Sequence, residues 1–320
     1  MAEPLPNWDT HDVEELRRFA QICLIVADLD GTLIPSPLHL KLQSLIRSLR
    51  HYRYQVNLTL ATGRTLAGVL PLLETLPLTK DIPLILYNGS VVVRNGSFSV
   101  IERRTIPLAS LSEILEISSS HCVRTLAYFY DDPWFGVQNT HEHEYVIGWA
   151  ANCEPGPEFN KMPVQWLSSH TVSTKIEPSA ILIDTSGDPT AAPIIELELE
   201  KVVGISATRS STRYIEVRPK DSNKGVALEH VADAYNLSRD EILALGDNDN
   251  DSEMLAWAGI GVAISEASTS ALMHSDYVCR HGIFDGAIEV MHLVKHARHY
   301  FFQPRKRQDV TKDGPHRTLV

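Results

Sequence analysis

Cysteine is scarce in this 320-residue chain. Its four residues, Cys23, Cys122, Cys153 and Cys279, lie far apart and form no CxxC pair. They read as reduced, mostly structural thiols of a cytoplasmic protein. No apolar run approaches the ~20 residues needed to span a bilayer. The opening Met1-Ala2-Glu3-Pro4-Leu5-Pro6 lacks the basic and apolar stretches of a signal peptide. Positive charge is also short: the formal net charge is −11, and because residues 303–320 carry +3, the remainder carries −14. A body that acidic argues against nucleic acid as the main partner, and nothing points to a membrane. The tail with Arg305, Lys306 and Arg307 reads as a disordered basic terminus. Repeats and long low-complexity segments are absent.

What is present is an α/β pattern interrupted once. Ile22 to Ala27 is almost wholly apolar and reads as a strand buried on both faces, as at the centre of a parallel sheet. A helix over about 38–50, a strand over Val56 to Leu60, a helix from Thr65 to Leu76 and a strand from Pro83 to Tyr87 follow. The pattern then changes. Asn95-Gly96 predicts a hairpin, and a helix at Leu108 to Ser118 precedes strands at Arg124 to Tyr130 and Trp134 to Gln138. A helix is expected over His141 to Ala151 and irregular chain over 153–170. Strands at Ala180 to Asp184, Val202 to Ala207 and Arg213 to Val217 surround a helix near 190–200. From Pro219 the α/β pattern returns, with a helix from Lys224, strands at Ile242 to Leu245, Ile260 to Ile264 and Tyr277-Val278, and a closing helix from Gly286. The expected organisation is an extension over 1–20, a discontinuous core over 21–89 and 214–302, an inserted α+β domain over 90–213 and a tail over 303–320.

Three of the core strands end in polar turns containing glycine: Asp28-Leu29-Asp30-Gly31-Thr32, Thr62-Gly63-Arg64 and Gly246-Asp247-Asn248-Asp249-Asn250-Asp251. Ligands of open α/β sheets bind at that carboxyl edge. If the first strand stays extended, Asp28 and Asp30 point the same way, which is costly unless a cation or a shared proton compensates. Carboxylates grouped in this manner suit Mg²⁺, with Asp28 and Asp247 as side-chain ligands and the carbonyl of Asp30 as a third. Thr62 and the N–H of Gly63, at a helix start, suit a phosphate, and Lys224 adds a point charge. An aspartate with an ordinary pKa near ~3.9 needs no base to attack phosphorus. Its neighbour Asp30, protonated through like-charge proximity, can then serve the leaving oxygen and the incoming water.

Asp28-Leu29-Asp30-Gly31-Thr32-Leu33, Thr62-Gly63-Arg64, Lys224-Gly225 and Gly246-Asp247-x-x-Asn250-Asp251 resemble, in chain order, the four motifs of haloacid dehalogenase superfamily phosphatases. Tyr87-Asn88-Gly89, Ser222-Asn223-Lys224-Gly225, Met254-Leu255-x-x-Ala258-Gly259-x-Gly261-Val262-Ala263, Asp276-Tyr277-Val278 and Asp285-Gly286 are similar to the Cof-like branch, subclass IIB. The resemblance implies a Rossmann-like core carrying an inserted α+β cap. It implies Asp28 as nucleophile, Asp30 as general acid/base and Mg²⁺ on Asp28, Asp30 and Asp247. Leu29 N–H, Thr62, Gly63, Lys224 and Asn250 would hold the phosphoryl group, and Asp251 would support the metal and Lys224. Arg64 and Asn88 are further candidates for substrate contact. Ile264-Ser265-Glu266-Ala267 stands where the branch usually has Met-Gly-Asn-Ala, and His281 where it often has Asn.

Other groups have plainer readings. His141-Glu142-His143-Glu144 is expected on a solvated helical face, because alternate residues of a helix diverge. Tyr128, Phe129, Tyr130, Trp134 and Phe135 are expected in the core of the cap. Arg209, Arg213 and Arg218 are candidates for reaching an acidic substrate from the cap. The resulting expectation is a cytoplasmic Mg²⁺-dependent phosphatase acting on a small phosphorylated metabolite such as a sugar phosphate. A sugar phosphomutase or phosphotransferase of the same superfamily, and a non-catalytic protein on the same scaffold, remain as alternatives.

Overall fold

The computed structural model describes residues 2–7, 13–34, 56–73, 76, 78–130, 143–150, 162, 164–167, 177–209 and 213–302. The expected helix over 38–50, the strand over Trp134 to Gln138 and the basic tail lie outside them. In chain order the strands are β1 (Glu3–Pro4), β2 (Leu24–Ala27), β3 (Asn57–Leu60), β4 (Leu84–Leu86), β5 (Val91–Val93), β6 (Val100–Arg103), β7 (Arg124–Tyr130), β8 (Glu144–Ala150), β9 (Val164–Leu167), β10 (Ala180–Asp184), β11 (Ile205–Arg209), β12 (Tyr214–Pro219), β13 (Ile242–Gly246), β14 (Ile260–Ala263) and β15 (Tyr277–Val278). The helices are α1 (Val13–Gln21), α2 (Leu66–Leu73), α3 (Leu108–Ser120), α4 (Ala192–Leu199), α5 (Lys224–Ala234), α6 (Ser252–Trp257), α7 (Thr269–Met273) and α8 (Asp285–Phe302).

The core is a parallel sheet of order β1-β15-β14-β13-β2-β3. Strand periodicity explains its all-apolar centre. Ile25 and Ala27 of β2 pack with Leu16 and Phe19 of α1 and Val290 and Val294 of α8, while Leu24 and Val26 pack with Leu228 and Val231 of α5 on the opposite face. The expected extension is therefore part of this fold, since β1 pairs with β15 and the Phe19 ring lies 5.5 Å from that of Tyr277.

The inserted sheet has the order β11-β12-β10-β7-β8-β9 and is antiparallel except between β8 and β9. Ala127, Phe129, Ile147, Trp149, Ile183 and Ile215 turn to one face, where α3 and α4 cover them. Alternate residues, including Leu126, Tyr128, Tyr130, Val146 and Leu182, turn to the other face and join the apolar cluster of the core. Tyr128 and Tyr130 thus leave the cap interior that the sequence suggested, while Phe129 keeps it; Trp134 and Phe135 lie outside the described residues.

Sheet membership moves both expected boundaries. β5 and β6 pair with β4 in a separate three-stranded sheet, which adjoins the core through the parallel bridge Ala61↔Ile85. β12, expected in the core, is a strand of the inserted sheet.

The expected helix over His141 to Ala151 is instead strand β8 over its described part. Tyr145, Ile147 and Trp149 share one face, a period of two that the helical reading overrode. Glu144, expected on a solvated face with His141 and Glu142 (both outside the described residues), is 1% exposed. Its Oε1 accepts from the N–H of Leu66 at 2.6 Å and the hydroxyl of Tyr87 at 2.5 Å, and its Oε2 from the N–H of Ala67 at 2.7 Å. A carboxylate of the insert thus caps helix α2 of the core, where orphan N–H groups and the helix dipole favour negative charge. It also holds Tyr87, whose φ of +52° is unusual for a bulky residue.

Replacing Glu144 by Gln turns an amide donor towards these donors. Glu144→Gln is expected to lower stability by about 3 kcal/mol, read as a lower midpoint in chemical denaturation. An unchanged midpoint would show that the bonds do not fasten the insert.

Candidate active site

The site begins where β2 stops. Ala27 is in register with Leu60 and Leu245, so the turns after β2, β3 and β13 leave one edge of the sheet together. The chain does not remain extended through Asp30. Leu29 turns inward, fully buried, and its carbonyl accepts from the N–H groups of Leu33 and Ile34. Gly31 sits at φ +93°, and a Cβ there would collide with the Asp247 carboxylate. The hydroxyl of Thr32 donates to Asp247 Oδ1 at 2.6 Å, fastening the β2 and β13 loops together.

Below this contact lies a buried charge cluster. Lys224, fully buried at the first turn of α5, donates from Nζ to Asp28 Oδ1 at 2.5 Å and to Asp251 Oδ1 at 2.6 Å. Asn223 accepts from Val226 N–H at 2.8 Å and starts that helix. Its carbonyl is where a Cβ on Gly89 (φ +94°) would strike, so the Tyr87-Asn88-Gly89 turn touches the Lys224 loop through backbone alone. Asp251 Oδ2 accepts from the N–H groups of Asp247 and Asn248, at 2.9 and 3.1 Å.

Burial pushes the Asp28 carboxyl above its ordinary pKa, opposed by Lys224 and reinforced by Asp251 and Asp247. Burial likewise raises Asp247 to about 6, against the Thr32 hydrogen bond. Burial alone would lower Lys224, but Asp251 and Asp28 hold it above its ordinary value. The expectation of an Asp28 with an ordinary pKa therefore does not hold for these side chains alone.

Carboxylate atoms of Asp28, Asp247 and Asp251 lie within 4.8 Å of one another. Three acids against one ammonium leave an excess of negative charge, and hard oxygen donors fit a divalent cation. Because both Asp251 oxygens are engaged, Asp28 and Asp247 are the better ligands. The Asp30 side chain stands apart from this cluster. Its Oδ2 accepts from Arg64 Nε at 2.6 Å and its Oδ1 from Nη2 at 2.5 Å. The neighbour of the Asp30 carboxylate is therefore a guanidinium, and only its backbone carbonyl is left for the expected ligand role. Arg64 also donates from Nη1 to Gly68 O at 3.1 Å, so all three of its side-chain nitrogens are engaged.

Thr62 Oγ1 accepts from Arg64 N–H at 3.2 Å, and Gly63 is exposed beside it. Asn88 packs against Gly63 and joins strand β12 to the β13 loop: its Nδ2 donates to Glu216 Oε2 and its Oδ1 accepts from Asn250 Nδ2, each at 3.0 Å. A cavity of about 310 Å³ lies over Asp28, Asp30, Thr62, Gly63, Arg64, Asn88 and Asn250. Its opposite wall comes from the insert and includes Tyr128, Leu182, Thr208, Tyr214, Glu216 and Arg218. Of the three arginines expected there, Arg218 lines the cavity, while Arg209 pairs with Glu196 and Arg213 with Asp184. Glu216, Tyr214 and Glu144 were missed. The signal for the first two was the alternation 214–216–218 on one strand; no local pattern marked Glu144. A larger cavity of about 640 Å³, by Arg280, His281 and His296, holds none of the acidic cluster.

Comparison with known proteins agrees with this geometry. Residues 25–291 match the model of a family described as haloacid dehalogenase-like hydrolase. The chain is 23% identical to the putative phosphatase YxeH of Bacillus subtilis, over 84% of this chain and 97% of that protein. It is 26% identical to the pyridoxal phosphate phosphatase YbhA of Escherichia coli, over 80% of this chain and 92% of that protein. A haloacid dehalogenase-like hydrolase from Bacteroides thetaiotaomicron has the same fold, with a TM-score of 0.68 at 23% identity over 85% of this chain and 98% of that one.

The raised acids determine how the site responds to pH. A carboxyl whose folded pKa lies above its unfolded value binds its proton more tightly when folded, so stability falls as pH rises between the two values. For Asp247 that window runs from the ordinary carboxyl value of 3.8 to about 6, and Asp28 acts in the same direction. Chelated protein is therefore expected to lose stability through this window, and Mg²⁺, competing with protons for these oxygens, to raise the melting temperature more at pH 8 than at pH 5. Thermal melts with Mg²⁺ and with chelator measure both. A Mg²⁺ effect that is equal at the two pH values would remove the acids from the cation site.

Proposed function

We propose that this chain, which belongs to the haloacid dehalogenase-like hydrolases in their Cof-like branch, hydrolyses a small phosphorylated metabolite through an aspartyl-phosphate, with Mg²⁺ as cofactor. It is a phosphoric monoester hydrolase; the substrate, the metal and the residue roles are our reading. The observation that carries this reading is Lys224, buried to 0% exposure and bonded to Asp28 and Asp251 at the carboxyl edge of β2. A fully buried ammonium between two acids needs a reason beyond stability, and a phosphoryl group brought against Asp28 supplies one.

Asp28 and Asp247 would hold the Mg²⁺ with the carbonyl of Asp30. The cation supplies positive charge to the transferring phosphoryl oxygens and keeps the acids ionised. The Asp28 carboxylate attacks phosphorus, and the bond from phosphorus to the leaving oxygen breaks. Asp30, once Arg64 releases its carboxylate and it takes up a proton from water, gives that proton to the leaving oxygen. In the second half, water attacks phosphorus, its proton passes to Asp30, and the bond from Asp28 to phosphorus breaks to liberate phosphate. Lys224, Thr62, the N–H groups of Leu29 and Gly63, and Asn250 hold the phosphoryl oxygens, while Asp251 orients Lys224. The wall of the insert excludes bulk water and meets the leaving alcohol. The known actions of relatives support a small substrate: YbhA is named for pyridoxal phosphate, and a structural neighbour is named as a subclass IIB sugar phosphatase.

Phosphate release from a panel of sugar phosphates, pyridoxal phosphate and nucleotides, with Mg²⁺ and with chelator, tests the reaction. Turnover is expected with Mg²⁺ only, and Asp28→Asn is expected to abolish it with the fold intact. Asp30→Asn should slow both steps and accumulate phosphoenzyme in quenched reactions. Normal turnover in Asp28→Asn would refute the nucleophile assignment, and phosphate transfer to a hexose phosphate without release would favour a mutase.

A further inference from the structure

The insert presents one strand to the cavity in strict alternation. Ile215 and Val217 of β12 point into the apolar layer under α3 and α4, whereas Tyr214, Glu216 and Arg218 share the other face and line the cavity. Glu216 is held by Asn88 at 3.0 Å. Two cations at the site are also engaged: Arg64 by Asp30 and Gly68, Lys224 by Asp28 and Asp251. Arg218 differs. Its side chain is 14% exposed, and its nearest acid atom, Glu253 Oε1, stands 3.9 Å from Nη2, beyond hydrogen-bond distance. Its Nε is buried and has no hydrogen-bond partner among the described residues.

A guanidinium carries five N–H donors in a rigid fork and cannot lose its charge. Leaving the buried Nε–H without an acceptor is costly. The Asp28, Asp30 and Glu216 carboxylates of the same cavity would repel an anionic group placed elsewhere along its wall. Tyr128, Leu182 and Tyr214 supply apolar surface for a carbon skeleton.

Resting on the phosphatase reading above, we infer that the leaving alcohol of the natural substrate carries a second anionic group, a carboxylate or a further phosphate, and that Arg218 selects it. Arg218 is a specificity residue in this scheme. The Asp28 and Asp30 chemistry acts on the first phosphate and is the same whatever Arg218 holds.

Matched substrates read this directly. Glycerol 3-phosphate against 3-phosphoglycerate and glucose 6-phosphate against 6-phosphogluconate test a carboxylate; fructose 6-phosphate against fructose 1,6-bisphosphate tests a phosphate. With Mg²⁺, the wild-type protein is expected to favour the more anionic member of at least one pair by roughly tenfold or more in kcat/KM, mainly through KM. Arg218→Gln should bring that ratio close to one, and Arg218→Lys, which keeps the charge without the fork, should retain part of it. The pair that responds identifies which anion is read. No preference in any wild-type pair, or a preference that survives in Arg218→Gln, overturns the inference. So does an equal loss of kcat/KM for both members, because Arg218 would then serve the transferring phosphate. Should Arg218→Gln fail to fold, an undiminished ratio in Arg218→Lys alongside a large fall in kcat for both members would equally overturn it. p-Nitrophenyl phosphate separates the two readings: if the wild-type protein with Mg²⁺ cannot hydrolyse it or any panel compound, the phosphatase reading itself falls.

Discussion

Three carboxylates and one ammonium share a buried pocket at the end of β2, and much of the architecture exists to hold them there. Asp28, Asp247 and Asp251 would separate if their loops were free, because like charges repel strongly where water is excluded. Lys224 binds two of them and Thr32 the third. Backbone N–H groups of the β13 loop fix Asp251, and glycines at 31 and 89 allow the loops to close on one another. Burial favours protonation of Asp28 and Asp247, and a cation at the same oxygens would compete with those protons.

A second constraint fastens the insert over that cluster. The inserted sheet gives one face to its own helices and the other to the core. Glu144 reaches across from β8 to the start of α2 and to Tyr87, immediately before Asn88. Asn88 then bridges Glu216 of the insert to Asn250 of the β13 loop. Placement of the insert's wall of the cavity and placement of the loops at the sheet edge are thereby mechanically joined. Substitutions in the wall can consequently reach the loops around the acidic cluster without touching them.

The legible part of the fold was the part with strong local pattern. β2 and β13 are unbroken apolar runs ending in acids, so their buried position and the grouping of their ends followed from composition. β8 was misread because the polar pairs of His141-Glu142-His143-Glu144 masked the alternation of Tyr145, Ile147 and Trp149, and β12 fell on the core side of the expected boundary because an alternating strand does not name its sheet. Asp30 was placed beside Asp28 on the premise of continued extension, which the turn over Leu29 to Leu33 ends.

The amino-acid sequence by itself brought the candidate residues together: Asp28, Asp30, Thr62, Lys224 and Asp247 sit in motifs whose spacing along strand–loop–helix units carries them to one sheet edge. Local periodicity is enough for that, because parallel strands joined by crossovers align their carboxyl ends. Tertiary structure alone decided the partners of those charges and the far wall of the cavity. Arg64 joins Asp30 across 34 residues, Asn88 joins Glu216 across 128 and Glu144 joins Leu66 across 78. Pairings at such separations depend on which strand lies beside which, and no local pattern of residues encodes that.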